Sequence, residues 1–112
     1  ASSLGKRMTG ARRLWRELPF CRMLPAGRYY EEVRDEAAEI FNQGVIDVLF
    51  QEQDGRVVLL DYKTDRDTAP DTVREKYAMQ LELYAEAVSS VLGLEVAEKY
   101  LYMLRDGSVI QL

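Results

Sequence analysis

Two apolar, β-branched runs occupy the middle of the chain, GVIDVLF at 44–50 and VVLLDYKT at 57–64. They flank Asp54-Gly55, an arrangement that predicts a β-hairpin. Downstream, Val73, Tyr77, Leu81, Tyr84, Val88, Val91 and Leu92 recur at steps of three and four. That period predicts one long helix over DTVREKYAMQLELYAEAVSSVL, with Gly93 as its C-terminal stop. AEKYLYMLRDGSVIQL predicts two further short strands around Asp106-Gly107. Upstream, Pro19 and Pro25 forbid a long helix. An extended or edge strand is expected at 15–24, then a turn at Pro25-Ala26-Gly27. EEVRDEAAEIF fits a helical turn as well as a strand. The first dozen residues carry Lys6, Arg7, Arg12 and Arg13. They read as a short helix or helix end with solvated charges. The sum is an α+β protein, a mixed sheet with a long helix packed on it. The expected organisation is a single domain over 1–112, with a basic segment at 1–14 and a core at 15–112.

Composition narrows the chemistry. The 112 residues suit one domain, and 47% hydrophobic with 30% charged is an ordinary globular balance. A net charge of −4 argues against holding nucleic acid by bulk electrostatics. Contact with phosphate through bound metal ions stays open. Cys21 is the one cysteine, so no internal disulfide forms, and a reducing, intracellular setting fits. There is no histidine. His-based zinc sites, Ser-His-Asp triads and Cys-His pairs are therefore excluded. Acid–base or metal chemistry must rest on carboxylates, lysine, tyrosine or backbone. No apolar run approaches the ~18 residues of a membrane span. The polar, basic start is not a secretory signal.

The hairpin carries candidate chemistry. Val57, Leu59, Asp61 and Lys63 share one face of the second strand, and Val45, Asp47 and Leu49 one face of the first. A two-residue Asp54-Gly55 turn would set Asp47 opposite Tyr62 and put the two acids on opposite faces. A three-residue Gln53-Asp54-Gly55 loop, with Gly55 left-handed, would set Asp47 opposite Asp61. Facing carboxylates repel unless a cation lies between them. Carboxylates with waters suit Mg²⁺ or Mn²⁺, and the Tyr62 carbonyl could add a ligand. Lys63 could then orient a water or stabilise phosphate charge. On the helix Tyr77, Gln80, Tyr84 and Ala87 form one stripe toward the sheet, with Gln80 and Tyr84 one turn apart. Against this stands the plainer account: a solvated strand end at Asp61 and Lys63, and a satisfied buried Gln80 beside a core Tyr84.

GVIDVLF, LLDYKTD and MQLELYAEA, in this order and spacing, resemble the RecB-type nucleases of the PD-(D/E)xK superfamily. The closer likeness is to the C-terminal nuclease domains of AddA-type ATP-dependent helicase–nucleases. SLGKRMTGARRLWRELPF and PAGRYYEEVRDE also look like the stretch before that nuclease core. The resemblance implies a restriction-endonuclease-like core, truncated at its N-terminus. It implies that Asp47, Asp61 and the Tyr62 carbonyl bind Mg²⁺ or Mn²⁺, that Lys63 is the catalytic lysine, and that Gln80 and Tyr84 position substrate. The implied reaction is DNA phosphodiester hydrolysis in double-strand break resection and recombinational repair. The implied partners are DNA, a helicase portion of the same chain and a second, AddB-like nuclease subunit, in the bacterial cytoplasm and without a membrane. Such nucleases usually carry a histidine on an N-terminal helix. Its absence here implies a piece cut after that helix, weak or inactive alone, with Glu17 an edge-strand residue rather than a substitute ligand. Two other readings remain: an inactive nuclease-like DNA-binding module, and a protein-interaction domain with structural acids. Trp15, Tyr29, Tyr30, Tyr100 and Tyr102 are expected to pack, and Arg66 and Arg74 to be solvated.

Overall fold

A computed structural model describes residues 3–25 and 39–112. The order is α1 (Ser3–Thr9), β1 (Arg13–Pro25), β2 (Glu39–Gln51), β3 (Val57–Lys63), α2 (Pro70–Leu92), β4 (Val96–Met103) and β5 (Val109–Gln111). The strands form one mixed sheet in the order β1-β2-β3-β4-β5, in which β3 and β4 run parallel and the other pairs antiparallel. This is the α+β architecture the pattern predicts. The expected turn at Pro25-Ala26-Gly27 and most of EEVRDEAAEIF lie outside the described residues, as do Tyr29 and Tyr30.

β3 explains why VVLLD is a continuous apolar run rather than an alternating one. It is the central strand, and Val57 through Asp61 are all buried. One face packs under α2, where Val57, Leu59, Val73, Leu81, Val88 and Leu101 join one cluster. The other face packs under α1, where Leu4, Val48, Phe50, Val58 and Leu60 form a second. A strand covered on both sides has no solvent face to mark with polar residues.

The helix stripe holds for Val73, Leu81 and Val88, with Tyr77, Tyr84 and Leu92 packed beside them. Val91 departs from it and is 52% exposed, while its neighbour Leu92 takes the inward position in that turn. Gly93 closes α2 in the left-handed region at φ 68 and donates its N–H to the Ser89 carbonyl. The basic segment is corrected in one respect. Arg7 is not solvated: it lies between Glu52 and Glu98, at 2.7 and 2.6 Å, and ties α1 to the sheet. Arg74 likewise has partners, donating to the Gln111 carbonyl and pairing with Asp71.

The alternation expected for Val45, Asp47 and Leu49 breaks at Asp47. Leu49 lies in the cluster under α2, yet Ile46 lies there too, and Val45 is 47% exposed. Across the ladder the β1–β2 pairing skips from Arg16–Val48 to Leu18–Ile46. The skipped partner, Glu17, has φ 50, a left-handed conformation costly for a side chain other than glycine. The kink turns the outer hairpin over α2. There Phe20 meets Tyr84 edge to face at 5.4 Å, and Arg22 pairs with Glu86 at 3.0 Å.

Candidate metal and phosphodiester site

Register decides whether the two acids meet. The β2–β3 loop is the three-residue form: Glu52 N–H donates to the Arg56 carbonyl, Gly55 N–H donates to the Glu52 carbonyl, and Gly55 has φ 95. The ladder runs Gln51–Val57, Phe50–Val58, Leu49–Leu59, Val48–Leu60 and then stops. One step further, Asp47 stands opposite Asp61. There the Tyr62 N–H donates at 2.9 Å to Asp47 Oδ2, a side chain. Asp47 thus fills the gap where the strands part.

Around Asp61 the groups are close and largely buried. Asp61 is the buried charged residue of the core, 4% exposed. Lys63 Nζ lies 2.9 Å from Asp61 Oδ2. That contact is an ion pair without hydrogen-bonding geometry, so the buried Oδ2 accepts no hydrogen bond. Burial first, then the neighbouring Asp47 carboxylate, push the Asp61 carboxyl up to about 6, and Lys63 offsets only part of this. The lysine also donates to Gln80 Oε1 at 2.7 Å, and the Gln80 amide donates to the Tyr84 hydroxyl at 3.1 Å. Burial and the Asp61 charge raise the Tyr84 phenol above its ordinary value. The structure therefore brings Asp47, Asp61, Tyr62, Lys63, Gln80 and Tyr84 to one place, the C-terminal end of a central parallel strand where α2 crosses over. Open α/β sheets commonly place ligands at such ends. A groove of about 310 Å³, lined by Asn42, Gln43, Met79, Gln80, Leu83 and Tyr84, leads from the helix side.

The arrangement fits a hard divalent cation. Asp61 Oδ2 has the Lys63 ammonium as an ion-pair partner but accepts no hydrogen bond, and a second carboxylate opposite adds negative charge that a cation would balance. Tyr62 adds a third oxygen. In a strand a residue's N–H and C=O leave on the same side, so its carbonyl faces the gap that its N–H shares with Asp47. Among the described residues no group of three or more His, Cys, Asp or Glu surrounds one point. Two carboxylates, a carbonyl and waters are the donors Mg²⁺ accepts.

Two neighbours of this site are given no role in it by the sequence reading. Asp65 accepts the Tyr77 hydroxyl at 2.8 Å and the Lys76 ammonium at 2.7 Å. Tyr77 sits on the apolar stripe and reads as core, yet Lys63 Nζ lies 4.2 Å from its ring centroid. Spacing could have found it: Tyr77 precedes Gln80 by three residues, on the same helix face. Glu17 is exposed and makes no described contact with the acids.

The family description "PD-(D/E)XK nuclease superfamily" matches residues 5–110. The chain belongs to this superfamily. Its mixed sheet with a packed helix is the restriction-endonuclease-like fold of that family, whose members generally use divalent metals. The chain is 42% identical over 97% of its length to the A-type subunit of an ATP-dependent helicase/nuclease from Acetivibrio thermocellus. It is 44% identical over 96% to the protein of the same name from Desulforudis audaxviator, and 37% over 99% to that of Clostridium botulinum. It spans 9% of the length of each of these relatives. No helix among the described residues is long and apolar enough to cross a membrane.

Proposed function

We propose that this chain is a metal-dependent DNA nuclease domain of an AddA-like helicase–nuclease, hydrolysing phosphodiester bonds in double-strand break resection and recombinational repair. One observation carries the reading. The buried Asp61 Oδ2 accepts no hydrogen bond at the point where Asp47, Lys63 and the Tyr62 carbonyl converge. Most buried carboxylate oxygens in folded proteins accept a hydrogen bond, whereas this one has only the Lys63 ion pair. Asp47, Asp61 and the Tyr62 carbonyl would hold Mg²⁺ or Mn²⁺. Bound there, the ion supplies a polarised water and neutralises phosphate charge. Lys63 is the catalytic lysine: its ammonium orients the attacking water and stabilises charge gathering on the scissile phosphate. Gln80 holds Lys63, and Tyr84 lines the groove that receives the strand. DNA is the substrate, and the partners are a helicase portion of the same chain and an AddB-like second subunit, in the bacterial cytoplasm. Residues 1–112 form a single domain within that larger protein, and the neighbouring parts supply the positive surface that a net charge of −4 withholds.

The test is a calorimetric Mn²⁺ titration of wild type against Asp61→Ala, on this chain and on the full-length protein, beside a DNA cleavage assay of the latter. Wild type binds the ion and the variant does not, and cleavage disappears with binding. Equal binding by the variant, or cleavage surviving the substitution, defeats the assignment.

A further inference from the structure

A lysine ammonium on a flexible four-carbon stem is a poor catalytic group until something fixes it, because freezing the stem costs rotamer entropy. In this site the Lys63 ammonium meets three neighbours: Asp61 Oδ2 at 2.9 Å, Gln80 Oε1 at 2.7 Å and the ring of Tyr77 at 4.2 Å from its centroid. Asp61 pairs with the ammonium by charge, Gln80 accepts a hydrogen bond from it, and the ring faces it. The first is the acid assigned to the metal. The third belongs to neither the acids nor the Gln80–Tyr84 pair.

Tyr77 is itself held. Its hydroxyl donates to Asp65 at 2.8 and 2.9 Å to the two carboxylate oxygens. Asp65 follows Lys63 by two residues, just past the end of β3, and also pairs with Lys76 at 2.7 Å. Lys76 and Tyr77 together draw the Asp65 carboxyl below its ordinary value. The chain therefore closes a loop: β3 delivers Lys63, the following turn delivers Asp65, and both grip one aromatic residue of α2. The ring presents its negative face to the cation.

We propose that Tyr77 is a positioning residue for Lys63, a ring clasp tethered by Asp65 that keeps the ammonium aimed at the phosphate when the metal and substrate compete for Asp61. The inference rests on the nuclease reading above. It makes the electron density of the ring, and not merely its bulk, the property that matters. Tyr77→Phe keeps the face and loses the tether; Tyr77→Leu loses both.

Two measurements on the full-length protein test it. In metal-free samples with selectively labelled lysine, the Lys63 ε-methylene protons lie upfield under the ring current. The shift persists in Tyr77→Phe and vanishes in Tyr77→Leu. In steady-state DNA cleavage, Tyr77→Leu lowers kcat about 10-fold with KM within about twofold, the loss a cation–π contact supports, and Tyr77→Phe retains about a third or more of the rate. Replacing Tyr77 by phenylalanines of increasing fluorination lowers kcat step by step at constant shape, which a packing role would not do. Lys63→Ala serves as the separate control on the reading itself. If that variant still cleaves, the assignment of Lys63 fails and the clasp with it. If Lys63→Ala is dead while the fluorinated series is flat, or no ring-current shift is present, the clasp is wrong and the nuclease reading stands.

Discussion

Asp61 shows how a residue assigned to a metal site can be costly to the fold. Its carboxyl is pushed up to about 6 from an ordinary 3.8 by burial and by Asp47. The folded state therefore keeps a proton that the unfolded chain has already released. The stability at this position is complete below about pH 4 and is lost as pH rises through about 6. In EDTA, Asp61→Asn is expected to remove that decline and to gain about 3 kcal/mol at neutral pH, measured by urea denaturation from about pH 4 to pH 8. Added Mn²⁺ reverses the ranking, because it stabilises wild type by binding the folded state and leaves the variant unchanged. A variant no more stable than wild type in EDTA would show that Lys63 fully compensates the buried charge. Asp47, Asp61, Lys63, Gln80 and Tyr84 were legible in the sequence, because charged or amide groups inside apolar patterns stand out. Tyr77 shares the helix face of Gln80, but its residue type gave it no role, since an aromatic on a helix stripe looks the same whether it packs on leucine or lies against an ammonium.

Among the elements, the hairpin β1–β2 does most to shape the site. Its inner half is sheet and its outer half is a cover for α2, and the change occurs at Glu17 and Asp47. Gly44 is the position where the cover meets the helix. A Cβ there would lie 3.1 Å from the Phe20 ring and 3.4 Å from the Tyr84 ring. Gly44→Val is therefore expected to overpack this contact, costing about 1–3 kcal/mol and moving Tyr84 away from Gln80. Thermal melts read the first effect, and a cleavage rate falling further than the loss of folded protein reads the second. Unchanged melting would mean that the hairpin yields without strain. The helix was legible almost to the residue, because a stop glycine and a regular apolar period are local signals. The kink was not. Strict alternation placed Val45 with Asp47 and Leu49, and nothing local in GVIDVLF announces that the phase slips there.

The two cores lie on opposite faces of one sheet, and a charged link ties α1 to its side. Arg7 donates to both Glu52 and Glu98, joining the first helix to the β2–β3 loop and to β4. Arg7, with help from Tyr100, draws the Glu98 carboxyl down to about 2. The stabilisation at Glu98 is present above about pH 4.5 and is lost as pH falls toward 2; solvent at this partly exposed edge holds it to about 1 kcal/mol. Arg7→Ala is expected to loosen α1 from Val48, Phe50 and Leu60 and to make the protein unfold at higher pH on acid titration. Hydrogen exchange at Leu4–Met8 rises in the variant while exchange in β3 does not. Equal exchange in both proteins would mean that Leu4 alone docks the helix.

Fold class, family and the chemical groups of the site were all written in the order of residues, because periodicity, turn glycines and motif spacing are properties of neighbours along the chain. That order left the meeting of Asp47 and Asp61 balanced between two loop lengths, for a one-residue slip in register exchanges the faces of a strand. The tertiary structure chose the three-residue loop. It also turned the outer hairpin over α2, held Arg7 between two acids and set Tyr77 beneath Lys63. Those outcomes depend on residues far apart in the chain, where packing and charge act only after the strands have found their partners.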